Sequence, residues 1–193
     1  STDRVIESLG GEVMVTPLLE WFEFVNHTYI KKSKEHRRMA DVLKGYSRRG
    51  LMRRLHHKLQ QPFQHLLSDR PDPSPEDILS AASPYIKENV GGETILCVGA
   101  PLVMAAGKRI SGAVNIFPFT CLPGTIVTAI SKRLRKDHRE LPWLNLAFDG
   151  QEDTDNGTRL EAFMYQVRES FATGYSDADT ISDSSDRTEL NTE

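Results

Sequence analysis

Two short apolar runs and the helical pattern between them organise the C-terminal half of this chain. Ala113 to Phe117 is apolar and β-prone, which suits a strand buried on both faces of a parallel sheet. Pro118 has no N–H to give to a ladder and ends the strand. After the tight link Thr120-Cys121-Leu122-Pro123-Gly124, apolar residues recur at Ile126, Val127, Ile130 and Leu134. That spacing is helical, and Lys132, Arg133, Arg135 and Lys136 lie near the helix end, where cations suit the macrodipole. Trp143 to Phe148, preceded by Pro142, reads as a second buried strand. Thr158 and Glu161 then form a capping box, and Leu160, Phe163, Met164, Val167 and Phe171 give the last helix an apolar face.

Upstream, Asp3 to Leu9 reads as a helix stopped by Gly10-Gly11, and Val13 to Val15 as a short strand ended by Pro17. Leu18 to about Leu67 is helical by pattern. A proline-rich connector, Asp69 to Pro75, leads to a helix capped by Ser74 with Pro75 at its first position, and Pro84 should kink or split it. Thr94 to Val98 reads as a strand and Gly99 to about Ile110 as a short helix. Alternating strands and helices with short links imply a parallel sheet. The expected fold is therefore α/β, a Rossmann-like three-layer domain. Its four-stranded, mainly parallel sheet would use strands near Val13, Leu96, Ile116 and Leu146, with a helical insertion over about 18–90 after the first strand. This domain spans 1–173. A start that feeds a helix straight into a strand reads as a piece of a longer protein. From Gly174 to Glu193 the chain is acidic, Ser/Thr-rich and poor in large apolar residues, the composition of a flexible tail.

A formal net charge of −3 gives no case for nucleic-acid or membrane binding, and no apolar run is long enough to span a bilayer. With no signal peptide at its start, the protein is expected to be soluble and cytoplasmic. Its two cysteines, Cys97 and Cys121, cannot make a disulfide scaffold or a four-cysteine metal site, and Cys97 is expected in the core. From Lys31 to Lys58, eleven lysines and arginines face only Glu35 and Asp41. This could be a surface for an anionic ligand, such as the phosphates of coenzyme A, or for an acidic partner. The preferred reading is a solvated helix face whose Met39, Val42, Leu51, Met52, Leu55 and Leu59 pack inward. His56 and His57 are adjacent, so they cannot form the i, i+4 pair a metal wants.

Cys121 stands at the carboxyl end of a strand and at the mouth of a helix, where open α/β sheets bind ligands. A helix N-terminus favours the thiolate, which is both the nucleophile and the metal ligand. The plain alternative is a small buried apolar residue. No Walker phosphate loop and no GxGxxG fingerprint is present, and Val127 stands where a cysteine phosphatase needs an arginine. The loop Asp149-Gly150-Gln151-Glu152-Asp153-Thr154-Asp155 is acidic but lacks EF-hand spacing, and an exposed turn is its simpler reading. If the sheet is parallel, this loop and Cys121 share one sheet edge.

Four segments carry a resemblance: NIFPFTCLPGTIVTAI, LNLAFDGQEDTDNGTRLEAFMYQ, ESLGGEVMVTPLLEWFEF and SPYIKENVGGETIL. Together they are similar to the C-terminal part of activators of 2-hydroxyacyl-CoA dehydratases, the CoA-substrate-specific enzyme activases, over most of 1–173. The resemblance is to the dehydratase-like part and not to the ATPase. It implies anaerobic metabolism, electron transfer from an ATP-dependent activase domain to dehydratase components, and a 4Fe–4S cluster in the full-length protein. Cys121 would be one thiolate ligand, with Pro123, Gly124 and Thr125 beside it as cofactor-binding residues. Asp149, Gln151, Glu152, Asp153, Thr154 and Arg159 are further candidates at the same edge. The other ligands are not in this chain, so the fragment alone is expected to be inactive. The alternative is a module that binds an acyl-CoA or a partner protein and holds no cluster.

Overall fold

A computed structural model describes residues 2–16, 18–63, 73–88, 92–150 and 156–185. They form two compact units: a helical unit, Met14–Arg109, and an α/β unit in which Ser1–Val13 joins Ile110–Glu193.

In the helical unit, α2 (Leu18–Glu35) and α3 (Met39–Gln60) pack together, followed by α4 (Pro75–Ala82) and α5 (Gly92–Ala106). The inward line of α3 is Val42, Gly45, Arg49, Met52 and His56, spaced as one helical face. At Gly45 the two helices approach closely: Ile30 lies over its Cα, and Asn26 Nδ2 donates to its carbonyl at 3.1 Å. Val42 and Met52 turn inward as expected. Met39, Leu51, Leu55 and Leu59 do not; all four are exposed, because they fall off that line. The α4 cap matches its sequence signature, with Ser74 Oγ accepting from the Asp77 N–H at 3.1 Å, and the helix ends at Ala82, before Pro84.

The largest correction falls on Thr94 to Val98, which is no strand but part of the fifteen-residue α5. A short apolar run cannot tell a strand from a buried helix by periodicity; length decides. Here Ile95, Val98 and Leu102 recur at helical spacing and are buried, whereas Cys97, expected in the core, is exposed on the same helix. Pro101 lies inside α5 and removes one hydrogen bond without ending it. Val13 to Val15 forms no strand either, since no described strand lies beside it to pair with; Val15 is exposed.

What remains of the expected four-stranded sheet is a single βαβ unit. After α1 (Thr2–Ser8), β1 (Ala113–Pro118), α6 (Leu122–Asp137), β2 (Trp143–Phe148) and α7 (Asn156–Ser185) follow in order. The strands pair in parallel from Ala113↔Trp143 to Pro118↔Phe148 and make up the whole sheet among the described residues. Side chains alternate across it. Val114, Leu144 and Leu146 join Ile6, Leu160, Phe163 and Met164 in a core under α1 and α7. On the other face, Asn115, Asn145 and Phe117 meet α6. The last helix begins at Asn156, so Thr158 and Glu161 sit inside it and form no capping box. Its backbone stays helical past Gly174, the expected start of the acidic tail, as far as Ser185; residues 186–193 lie outside the described residues. No helix among the described residues is long and apolar enough to cross a membrane.

Candidate functional site

The β1–α6 connection is a tight turn in which the Cys121 N–H donates to the Pro118 carbonyl at 3.0 Å. To make that turn Thr120 adopts φ +73°, a left-handed conformation that a β-branched side chain resists. Cys121 is then the N-cap residue of α6, extended at φ −68°, ψ 116°. Its thiol makes no capping hydrogen bond to the helix; its carbonyl instead accepts from the Thr125 N–H at 3.0 Å and Thr125 Oγ1 at 2.9 Å. The thiol is half-buried, neither sealed in a core nor fully open.

The residues beside Cys121 have structural work. Gly124 is buried with the Phe117 ring lying directly on its Cα, and a Cβ there would stand 2.6 Å from Phe117 Cβ. Its carbonyl accepts from Thr128 Oγ1 at 2.8 Å. Pro123 lies in the first turn of α6, where a missing N–H costs no helical bond.

Phe119 N–H donates to the Phe148 carbonyl at 2.7 Å, carrying the parallel pairing one residue beyond the strands. Cys121 and Asp149 therefore emerge at the same end of the sheet, and Asp149 is exposed there. Gln151, Glu152, Asp153 and Thr154 lie outside the described residues. Arg159 reaches back along β2 and donates from Nη2 to the Asn145 carbonyl at 2.7 Å, a clamp on the strand backbone. Among the described residues, no group of three or more His, Cys, Asp or Glu is placed to hold a metal ion.

Two features escaped the sequence reading. Ile116, Phe119, Leu122 and Phe148 are exposed at this end of the sheet, Phe119 by 66 % and Leu122 by 68 %. Phe119 and Leu122 stand on either side of Cys121 in the chain, and large apolar side chains left in solvent beside a thiol mark a candidate interaction surface. Behind it runs a polar chain under α6: Asn115 Nδ2 donates to Asn145 Oδ1 at 3.1 Å, and Asn145 Nδ2 to Ser131 Oγ at 3.1 Å. The signal was legible as one asparagine at the third position of each apolar strand, VNI and LNL.

Replacing Thr120 by glycine is expected to raise stability by about 0.5–1 kcal/mol, as relief of the left-handed strain outweighs the entropy glycine loses on folding. Urea unfolding of the variant measures this; a loss of stability would mean that the Thr120 side chain holds the turn by contacts of its own.

Comparison with protein-family models, curated proteins and solved structures finds no match to this chain.

Proposed function

We propose that the α/β unit is a docking module of a dehydratase–activator assembly, presenting Cys121 at the carboxyl edge of its sheet to a partner protein. The resemblance in NIFPFTCLPGTIVTAI and LNLAFDGQEDTDNGTRLEAFMYQ supplies the assembly. The observation that carries the docking reading is the half-buried thiol next to Phe119 and Leu122, both largely exposed. An apolar patch at the strand end favours a protein surface over the phosphate groups of a coenzyme A, which would call for donors and cations there.

A 4Fe–4S cluster takes four thiolates. This chain has two cysteines, and Cys97 belongs to the helical unit. The residues present do not fit a complete cluster, and no electron-transfer step is assigned to them. Cys121 suits one position in a ligand set completed from outside this chain.

The test uses the full chain with Cys97→Ser, so that Cys121 is the one thiol. Iodoacetamide is expected to alkylate it under native conditions, and adding the ATP-dependent activase or dehydratase component of such a system should slow the reaction. Phe119→Asp and Leu122→Asp should abolish that protection while Cys121 stays reactive. A Cys121 that resists alkylation until the protein unfolds would defeat the reading, as would protection untouched by either substitution. Iron and sulfide analysis after anaerobic reconstitution should find no stoichiometric cluster; a full cluster on the monomer would refute the claim that ligands come from outside.

A further inference from the structure

We infer that the exposed face of α3 between Arg48 and Leu59 docks an acidic amphipathic helix of a partner protein. Leu51, Leu55 and Leu59 recur every fourth residue and are 60 %, 52 % and 73 % exposed. On a helix they form one stripe about 12 Å long. Three solvated leucines in a line are costly for an isolated surface and mark a face built to be covered. Arg54 and Lys58 flank the stripe, and the same segment lines an open surface depression. Among the described residues no carboxylate pairs with Arg53, Arg54 or Lys58, whereas Lys31, Arg38 and Lys44 each have an acid within 4.0 Å.

The two halves of this pattern specify the occupant. Leucines at i, i+4 and i+8 suit the apolar face of another helix, as in helix-in-groove recognition. Cations on the flanks call for carboxylates on the facing helix, the arrangement that sets partner choice in paired helices. A free phosphate would use the cations and leave the leucines wet. A membrane surface wants one broad apolar face, but the other exposed apolar residues of α3, Met39, Leu43 and Tyr46, centre on a different side of the helix. This inference concerns the helical unit and does not depend on the docking role given to Cys121.

The experiment measures fluorescence anisotropy of the full chain with a labelled designed peptide of about 20 residues, a helix with leucines on one face and glutamates flanking them. Salt-sensitive binding is expected, weakened about tenfold or more by Leu51→Asn with Leu55→Asn and by Arg54→Glu with Lys58→Glu. The charge-reversed protein should instead prefer a lysine-flanked version of the peptide, which keeps the test informative even if the asparagine variant loses helicity by circular dichroism. Absence of binding to the glutamate peptide overturns the proposal, and so does binding indifferent to the leucines. Leucine-dependent binding to phosphatidylglycerol vesicles without peptide binding, or leucine-dependent self-association in ultracentrifugation, would overturn it in favour of a lipid surface or a second copy.

Discussion

Gly124→Ala is expected to destabilise the α/β unit by about 3 kcal/mol, at the upper end of what overpacking costs. The added methyl would overlap the Phe117 ring, which is held between β1 and the first turn of α6. Neither neighbour yields easily: the strand is paired to β2, and the helix is fixed by buried Val127 and Leu134. The same displacement would shift Cys121, three residues earlier, so native alkylation of the thiol should change along with stability. Urea unfolding of Gly124→Ala, Phe117→Ala and the double variant closes a cycle. The double variant should be much less destabilised than the sum of the singles, because removing the ring removes the clash. Additive costs would show that the ring is not what the methyl meets.

Gly99→Ala should cost at least as much, about 3 kcal/mol or more. At the α4–α5 crossing a Cβ on Gly99 would overlap the Ile78 carbonyl oxygen and lie 2.7 Å from Ile78 Cγ2. A backbone oxygen cannot rotate away as a side chain can, so the helices must separate along a contact that buries Ile78, Ile95, Val98 and Leu102. Gly50→Ala in α3 is the control: nothing lies within 4 Å of the new methyl, and the exchange should stabilise by about 0.5–1 kcal/mol through helix propensity alone. Equal effects at Gly99 and Gly50 would refute the close crossing.

Both strands of the sheet were legible because proline sets a boundary for each, Pro118 at the end of β1 and Pro142 before β2, and their runs are too short for a helix. Their parallel pairing followed from the helix between them, and with it the shared edge of Cys121 and Asp149. The other two expected strands failed for separate reasons. Thr94 to Val98 is β-prone residue by residue, but continues into apolar sequence long enough for four turns of helix, and burial against α4 overrode local preference. Among the described residues, Val13 to Val15 has no neighbouring strand to supply a ladder. In α3, more apolar positions exist than one buried face can use, and the sequence alone could not say which leucines stay outside. Asparagines 115 and 145 were passed over because each looks like a local flaw in an apolar strand; only the pairing brings them together.

That pairing also rules out an alternative. Six-residue strands rich in branched apolar side chains could slide past one another by one position with little loss of backbone bonding. In this sheet, a one-residue slip of β2 would turn the Asn145 amide toward Ile6, Leu160 and Met164 and take it away from Asn115 and Ser131. An amide buried unbonded costs about 1–3 kcal/mol, which sets the misaligned arrangement above the native one. The asparagines thus favour the native register, and with it the alignment that brings Cys121 and Asp149 out at one end of the sheet.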